Sequence, residues 1–303
     1  MKRRVAIAIP ARNEAEQIEG CLRRLLAMPR DPRAASFQIV VVANNCADAT
    51  ASKVLRCPGP IQLVEITLPP ERANAGHARK AALDAAAGWL GRPQDVLLST
   101  DADTHVAADW LSRTLDHLDA GYDAVAGLAR LKGTELRLLA PRHRLRLAQL
   151  RKYEAALAYL RAPGADAEPW PRHYYEGGAS IALTAGRYLR MGGAPTPAIG
   201  EDKALFDAVR TQGGKVRHAP DVKVYTSCRL TGRATGGASD TLDHWGRQDD
   251  HEPIYQVDPL NTALGQLATG RASLSFAELP QEILKARALV NIARSGAALA
   301  QAC

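Results

Sequence analysis

Short apolar runs alternate with helical segments along the first hundred residues, and this alternation constrains the fold more than any other feature. The runs are rich in Val, Ile and Leu, which is typical of buried strands, and lie at residues 5–9, 38–43, 61–68 and 96–98. Between the first two, apolar residues at 18, 22, 25 and 26 share one helix face. We expect Pro10, which has no N–H, to end the first strand. The alternation predicts an α/β fold with a mainly parallel sheet covered on both faces.

Two aspartates follow the fourth run, in the sequence Ser99-Thr-Asp-Ala-Asp-Thr104. In extended backbone, side chains two residues apart point to the same side, so Asp101 and Asp103 are expected to face one ligand. Open α/β sheets bind ligands at the carboxyl ends of strands, where this pair lies. Two close carboxylates need a cation, and Mg²⁺ usually takes one or two carboxylates plus substrate phosphates. A solvated turn, in which Asp is common, is the alternative interpretation.

Composition and charge narrow the range of ligands. The 303 residues are 46% hydrophobic, enough for a sizeable core, and their net charge of +7 favours anionic ligands such as phosphates or anionic lipids. Aromatic residues make up 5% of the chain, too few for the stacking surface of a nucleic-acid binder. A G-x-x-x-x-G-K-[ST] loop is absent, as is a G-x-G-x-x-G after the first strand. This argues against P-loop NTPases and ordinary dinucleotide-binding domains.

Cysteine usage and hydropathy bear on location. Five scattered cysteines, an odd number without metal-ligand spacing, are typical of reduced thiols in a cytosolic protein. The first apolar run breaks at Pro10, too early for a secretory signal, and no stretch reaches the roughly 18 apolar residues of a membrane span. We therefore expect a cytoplasmic protein.

Five short polar motifs occur in order within residues 5–235. They are Pro10-Ala-Arg-Asn-Glu14, the loop at 44–50, Asn74-Ala-Gly-His-Ala-Arg79, Asp101-Ala-Asp103 and Gly200-Glu-Asp202. Each is weak alone, but together they resemble an inverting family 2 glycosyltransferase of GT-A fold. The resemblance implies a three-layer α/β/α sandwich with a central, mostly parallel (mixed) sheet. Residues 1–235 would then comprise a nucleotide-sugar half (1–125) and an acceptor and catalytic-base half (126–235).

The resemblance also implies which residues bind the donor, a nucleoside-diphosphate sugar. They would be the residues in the loops that follow the strands, namely Pro10, Arg12, Glu14, Asn44, Asp48, Asn74, Gly76, Arg79 and Asp101. Gly178, in a pair of glycines that permits close backbone approach, would lie under the donor sugar. The alternatives are ordinary helix caps for Asn74 and Asp48 and a surface helix position for Arg79.

The chemistry implied by the resemblance is a single displacement that inverts the anomeric carbon of the sugar. Asp202, preceded by Glu201, would be the catalytic base that takes the proton of the acceptor hydroxyl. Asp103, together with Asp101, would ligate Mn²⁺ or Mg²⁺. The acceptor itself cannot be identified from these residues.

The sequence departs from the family pattern in two places. Ala43-Asn-Asn-Cys46 stands where family members commonly carry paired Asp followed by Gly-Ser. In the family, one of those Asp residues often accepts a hydrogen bond from a uracil N–H. The sequence therefore does not select UDP as the donor nucleotide, and GDP and a deoxythymidine diphosphate are alternatives. The strand end at 224–227 lacks the His that often completes the metal site. His218 and His244 are the candidates, with an ordinary core or surface histidine as the alternative.

An arginine- and leucine-rich stretch at 137–152 opens the acceptor half. It predicts either an amphipathic helix on an anionic membrane or a solvated helix packed on the core or on a second subunit, and we favour the packed helix. A loop at 163–171 is the expected acceptor-facing segment. Trp170 and Tyr174 are candidates for stacking on a sugar or an aromatic acceptor, with packing as the alternative.

The resemblance covers residues 5–235 and matches 238–303 poorly. A basic, glycine-rich stretch at 229–237 predicts a lid in which Arg229 or Arg233 pairs with diphosphate oxygens, with a solvated loop as the alternative. Residues 236–303 predict a C-terminal lid and helical extension. Apolar residues at 283, 284, 289, 292 and 293 predict a closing helix that packs on the body or on a partner, such as a second copy of the chain.

Two other functions are compatible with the motifs. A non-catalytic nucleotide-sugar-binding scaffold of the same fold would keep the pockets without the chemistry, although Asp101, Asp103 and Asp202 are all intact. A sugar-phosphate nucleotidyltransferase normally opens with a glycine-rich loop, and Pro10-Ala-Arg-Asn13 stands in that position here. Glycosyl transfer is therefore the function that the sequence favours.

Overall fold

The computed structural model describes residues 2–161, 168–173, 175–233, 236–255, 257–265 and 273–295. Expectations for 163–166, for Tyr174 and for 234–235 in the lid lie outside the described residues. The strands are β1 (Arg3–Ala11), β2 (Ala34–Asn44), β3 (Ile61–Ile66), β4 (Val96–Ser99), β5 (His105–Val106), β6 (Ala124–Leu131), β7 (Ile181–Thr184) and β8 (Val216–Thr226).

These strands form one sheet in the order β3-β2-β1-β4-β7-β6-β8-β5. The first four neighbours are parallel, and so are β6 and β8. β7 runs antiparallel between β4 and β6, and β5 pairs antiparallel with the end of β8. The predicted α/β class with a mostly parallel, mixed sheet is confirmed.

Helices cover both faces of the sheet. They are α1 (Ile18–Leu26), α2 (Thr50–Leu55), α3 (Ala75–Ala87), α4 (Trp110–Asp119), α5 (Gly133–Leu136), α6 (Pro141–Leu160), α7 (Ala185–Arg190), α8 (Glu201–Thr211), α9 (Ala238–Arg247), α10 (Leu260–Ala263) and α11 (Leu279–Arg294). Alternate residues of β1 face opposite layers: Ile7 packs in one apolar cluster with α1 and α4, and Ala8 in another with α3 and α8. This gives the expected three layers.

The expectation that Pro10 ends the first strand is wrong, because β1 continues to Ala11. Along a strand, residues two apart direct their backbone polar groups to the same neighbour. Ala8 accepts from Thr100 on the β4 side, and the β4 ladder ends at Ser99 opposite Ala8. The nitrogen of Pro10 therefore faces a side where no ladder partner remains, so the missing N–H costs nothing.

The arginine-rich stretch folds as α5 and α6, and α6 packs against the C-terminal helix α11. Leu150, Tyr153 and Leu157 of α6 share a third apolar cluster with Ile283 and Leu289 of α11. The C-terminal helix thus packs on the body as predicted, although Leu284, assigned to its buried face, is exposed. Of the helices in the described ranges, none combines the length and apolarity needed to cross a bilayer.

Candidate active site

The acid pair lies in a turn rather than in extended backbone. β4 ends at Ser99, and the N–H of Thr104 donates to the carbonyl of Asp101 at 3.0 Å. The extended geometry assumed for Asp101 and Asp103 is therefore wrong. The two carboxylates nevertheless stay close enough for the charge of Asp101 to raise the pKa of Asp103.

Arg79 of α3 connects this turn to the start of α8. Its Nη2 donates to Asp101 Oδ1 at 2.8 Å and its Nε to Glu201 Oε1 at 3.2 Å. Nη1 donates to Ser99 Oγ and to the carbonyl of Gly178, both at 3.1 Å. Arg79 is 6% exposed, so it is not the surface helix residue of the alternative interpretation. One buried guanidinium thus brings the acid pair and the Glu201–Asp202 turn close together.

Asp202 is held by backbone N–H groups at both carboxylate oxygens. Gly178 donates to Oδ2 at 2.9 Å, and Lys203 donates to Oδ1 at 2.8 Å. Gly178 is required here, because a Cβ at this position would lie 1.9 Å from Nη2 of Arg79. Burial and the adjacent Glu201 raise the pKa of Asp202, while Arg79 lowers it. The carboxylate is fixed in place and more basic than an ordinary aspartate.

Arg229 occupies the opposite side of the acid pair. Its guanidinium donates to both carboxylate oxygens of Glu14, at 2.5 and 2.7 Å, and Nη2 lies 3.3 Å from Asp103 Oδ2. Asp103 Oδ1 accepts from Thr226 Oγ1 at 3.1 Å. Burial and the charges of Asp101 and Glu14 raise the pKa of Asp103 to about 6 in spite of Arg229. The sequence motif placed Arg229 with phosphate, but here its partners are carboxylates.

This donor set is compatible with a divalent metal. Glu14, Asp101 and Asp103 lie near one another, and burial together with the charges of Asp101 and Glu14 raises the pKa of Asp103 although Arg229 lowers it. Hard oxygen donors of this kind suit Mg²⁺ or Mn²⁺. Among the residues that the structure describes, no three His, Cys, Asp or Glu side chains are arranged to hold a metal by themselves. One or two carboxylates with substrate phosphates is the usual arrangement for Mg²⁺.

The loops after β1 and β2 are joined by side-chain hydrogen bonds. Asp48 Oδ2 accepts from the N–H of Ala15 at 3.0 Å, and Thr50 Oγ1 accepts from the N–H of Glu14 at 2.8 Å. Asp48 Oδ1 also accepts from the N–H of Thr50 at 2.9 Å. Asp48 therefore holds the Pro10–Glu14 loop in place. Burial raises the pKa of Asp48, but its hydrogen bonds with Thr50 and Ala15 and the charge of Arg233 lower it further, so the net shift is downward.

The remaining donor-side candidates surround the same loops. Arg12 Nη1 donates to the carbonyl of Ala73 at 3.0 Å, and Asn44 is buried at the end of β2. Asn74 caps α3 by accepting from the N–H of His77 at 3.0 Å, so its capping role is observed. Gly76 allows α3 to approach the backbone at 196–197, where a Cβ would lie 2.4 Å from the carbonyl of Pro197.

The two histidine candidates for the metal do not join the acid pair. His218 Nδ1 lies 2.7 Å from Glu168 Oε2 and Nε2 lies 3.0 Å from Glu176 Oε1, so both ring nitrogens already have partners. His244 is an exposed residue of α9. Neither side chain is placed to complete a site at Asp103.

Sequence reasoning missed Thr226 and Tyr175. Thr226, the last residue of β8, donates a hydrogen bond to Asp103. The two residues are 123 positions apart in the sequence, so no local pattern signals this contact. The Tyr175 ring lies 2.9 Å from where a Cβ on Gly177 would be, next to the glycine that holds Asp202. Partial burial of this half-exposed side chain and the charge of Asp202 raise the pKa of Tyr175 to about 12. Its position beside two glycines was the only available signal.

Comparisons with known proteins agree with this fold. The mannosyltransferase PcManGT from Pyrobaculum calidifontis, solved with GDP-Man and Mn²⁺, is 22% identical, with a TM-score of 0.54 over 98% of this chain and 77% of that one. Residues 1–349 of S. aureus TarS, solved with UDP-GlcNAc, are 14% identical, with a TM-score of 0.52 over 96% and 73%. At these identities the likeness shows the fold alone. A search of curated proteins finds no match.

The family model "Glycosyl transferase family 2" matches residues 6–175, more than half of the sequence. The matched region contains the Pro10–Glu14 loop, Arg79 and the acid pair. The chain belongs to glycosyl transferase family 2, a family of enzymes that transfer sugars.

Proposed function

We propose that the protein is a metal-dependent inverting glycosyltransferase that moves a sugar from a nucleoside-diphosphate sugar to an acceptor hydroxyl by single displacement. The observation that carries this proposal is the set of contacts of Arg79, which joins Asp101 to Glu201 and Gly178. The proposal is supported by the proximity that these contacts create between the candidate metal-binding pair and the candidate base, Asp202. A single displacement needs those two groups on opposite sides of the reacting carbon.

Asp202 is the proposed general base. Each of its oxygens accepts one backbone N–H, at 2.9 and 2.8 Å, and retains a lone-pair position for a further partner. Its raised pKa increases its proton affinity, and Brønsted behaviour favours a base whose pKa lies nearer the working pH. The acceptor hydroxyl gives its proton to this carboxylate as its oxygen attacks the anomeric carbon. The bond from that carbon to the diphosphate oxygen breaks in the same step, and the nucleoside diphosphate leaves from the opposite face. A positioned base of this kind contributes typically about 10²- to 10⁴-fold.

Asp103, with Asp101 beside it, is the proposed holder of Mn²⁺ or Mg²⁺. When bound, the metal would neutralise negative charge on the diphosphate leaving group. This Lewis-acid effect stabilises the transition state by several kcal/mol. Arg229 already supplies one positive charge here through its contacts with Glu14 and Asp103. Arg233 has no ion-pair partner among the described residues and is exposed, so we assign the phosphate contact expected of the lid to Arg233.

The donor nucleoside is proposed to lie on the loops after β1 and β2, against Pro10, Arg12 and Asn44. The hydrogen bonds of Asp48 hold these two loops together. Asn44 is 3% exposed, and its amide can both donate and accept. An amide therefore suits a guanine edge as well as a uracil edge, and we keep both UDP and GDP sugars as donors.

The experiment is release of nucleoside diphosphate from a panel of UDP and GDP sugars, with Mn²⁺ or Mg²⁺ and without. We expect slow metal-dependent hydrolysis by the wild type and a loss of about 100-fold or more in Asp202→Asn, with donor binding unchanged. Asp207→Asn is the matched control, because Asp207 lies on the same helix and its carboxylate, 47% exposed, pairs with Lys203. Full activity in Asp202→Asn would exclude this residue as the base. Donor binding without any turnover would instead favour the scaffold.

A further inference from the structure

The residues that lead into β7 contain the backbone group that holds the proposed base. The structure describes 168–173 and 175–178 of this stretch, which we call the pre-β7 segment. Gly178 donates its N–H to Asp202 at 2.9 Å, and its carbonyl accepts from Arg79 at 3.1 Å. The position of the pre-β7 segment therefore determines the position of the Asp202 carboxylate.

His218 of β8 lies at the same level of the sheet as the end of β4. Ser99, the last residue of β4, pairs with Ile181 of β7. Ile181 pairs with Ala126 of β6, which in turn pairs with His218. Neighbouring strands are about 4.8 Å apart, so three steps across the sheet place His218 about 14 Å from Ser99. β8 lies between β6 and β5, and a strand inside the sheet is a fixed support for a neighbouring loop.

His218 contacts two carboxylates of the pre-β7 segment. Its Nδ1 lies 2.7 Å from Oε2 of Glu168, and its Nε2 lies 3.0 Å from Oε1 of Glu176. A neutral imidazole has one N–H and donates to one carboxylate, whereas an imidazolium donates to both. The two contacts together therefore require the charged form of His218. The side chains of Glu176 and His218 are 8% and 10% exposed, so little water reaches the contact between them.

The Glu168 end of the segment has further bonds to β8. Oε1 of Glu168 accepts from Nη1 of Arg217 at 2.8 Å and from the backbone N–H of His218. Arg217 also donates to the carbonyls of Pro169 and Pro171, at 3.0 and 2.6 Å. This end therefore stays attached to the sheet without the imidazole ring.

The Glu176 end depends more on His218. Among the residues that the structure describes, the side-chain partners of Glu176 are His218 and Arg210 of α8. The Arg210 side chain is 40% exposed and also pairs with an aspartate of its own helix, so it is the weaker anchor. Gly178 follows Glu176 by two residues and donates to Asp202. The contact between His218 and Glu176 thus fixes the backbone next to the proposed base.

We propose that His218 is a positioning residue for glycosyl transfer and acts through Glu176. Holding Glu176 fixes Gly178, and Gly178 fixes the carboxylate of Asp202. The inference rests on the proposed function, because it assigns His218 a role in that reaction. Loss of the contact lets the carboxylate move from its place, and a misplacement of about 1 Å can cost about 100-fold in rate.

The requirement for imidazolium makes this positioning depend on pH. Within the described part of the chain, these titratable and charged groups of the segment and of α8 face His218: Glu168, His173, Glu176 and Arg210. Burial lowers the pKa of His218, but hydrogen bonds with the two glutamates raise it more, so the net shift is upward. Burial and the charge of His218 lower the pKa of His173 to about 4, so His173 is neutral at pH 7. The contact is complete below pH 6.5 and is lost as the pH rises through the higher folded value.

The first measurement is release of nucleoside diphosphate from the donor between pH 6 and pH 9, with Mn²⁺ or Mg²⁺. At pH 7 we expect kcat to fall about tenfold or more in His218→Gln and in Glu176→Gln. The KM for the donor should stay within about twofold, because the donor nucleoside is proposed to lie on other loops. In the wild type, kcat should also fall at alkaline pH as His218 loses its proton, and both variants should lack this alkaline limb.

Asp123→Asn is the matched control, because it breaks an ion pair at the other end of the sheet. Asp123 Oδ1 lies 3.0 Å from Nη2 of the buried Arg187. The carbonyl of Asp123 accepts from Thr184, which pairs with Val96, the first residue of β4. This variant should keep kcat within about twofold and keep the alkaline limb. A fall in kcat as large as that of His218→Gln would show that lost stability lowers the rate, and would overturn the proposal.

The second measurement does not depend on turnover. Hydrogen exchange of peptides spanning 176–180 reports the N–H of Gly178, which its bond to Asp202 protects. Exchange there should be about fivefold faster in His218→Gln and Glu176→Gln and unchanged in Asp123→Asn. Unchanged exchange in the first two variants overturns the proposal, and Glu176→Gln decides if His218→Gln does not fold. If the wild type releases no diphosphate from any donor, the proposed function fails, and exchange alone decides whether His218 fixes Gly178.

Discussion

Asp103→Asn should stabilise the metal-free protein while it removes metal-dependent donor binding. Asp103 is 13% exposed at its side chain, and burial together with Asp101 and Glu14 raises its pKa to about 6. In the unfolded chain an aspartate has its ordinary pKa, near 3.8. The folded protein therefore binds more protons than the unfolded chain between these two values. Consequently the free energy of unfolding falls as the pH rises from about 4 to about 6.

The size of the effect follows from those two pKa values. At 1.36 kcal/mol for each pH unit, the ionised carboxylate costs about 3 kcal/mol of unfolding free energy at pH 8. Asparagine removes this charge but weakens the contact with Arg229, a loss of about 1 kcal/mol. We expect Asp103→Asn to be about 1–2 kcal/mol more stable than the wild type at pH 8. At about 2–4 °C per kcal/mol, the midpoint rises by about 2–8 °C.

The assay is thermal and urea unfolding at pH 8 and at pH 4.5, with EDTA to remove metal. At pH 4.5 the electrostatic cost should be roughly a third of its value at pH 8, because Asp103 is then mostly protonated in the fold. Asp109→Asn, an exposed aspartate paired with Arg113, should change stability little at either pH. An Asp103→Asn variant that is no more stable than the wild type at pH 8 would refute the reasoning. In the presence of Mn²⁺, the same variant should lose donor binding.

Two further predictions concern the buried charges. Gly178→Ala puts a Cβ 1.9 Å from Nη2 of Arg79 and must displace that side chain, so we expect a loss of about 3–5 kcal/mol in urea unfolding. Gly177→Ala meets only a half-exposed tyrosine ring and should cost much less. His218 has a raised pKa because its two carboxylate partners outweigh burial, so its stabilisation is present below pH 6.5 and is lost as the pH rises through the higher folded value. His218→Gln should flatten the decline in unfolding midpoint between pH 6 and pH 9.

The sequence predicted the positions of the strands well, because those signals are local, but several strand ends differ from the prediction. Val5–Ile9 and Val96–Leu98 are buried as expected, and α1 buries Ile18, Leu22 and Leu25 on one face. The error at Pro10 arose because the extent of the neighbouring strand cannot be known from the residues around a proline. A strand limit therefore depends on the length of its partner as well as on its own residues.

The sequence predicted which loops carry the site residues, but it did not predict which side chains contact one another. Arg79 and Glu201 are 122 positions apart, and the Arg229–Glu14 pair spans 215. No periodicity or motif connects such distant positions, because the contacts depend on how the sheet is assembled. The sequence predicted that Arg229 or Arg233 pairs with diphosphate oxygens, and it gave no sign that Arg229 contacts the carboxylates of Glu14 and Asp103.

The position of β7 in the sheet has a consequence for shortened forms of the chain. β7 fills the place between β4 and β6 and pairs with both, yet it begins six residues beyond the end of the family match at residue 175. A fragment cut at that boundary would leave the whole length of β4, whose four residues are fully buried, with an open hydrogen-bonding edge. Such a fragment would recruit strands from other molecules and aggregate. Expression of the chain in pieces therefore has to keep residues 181–184 with the first half.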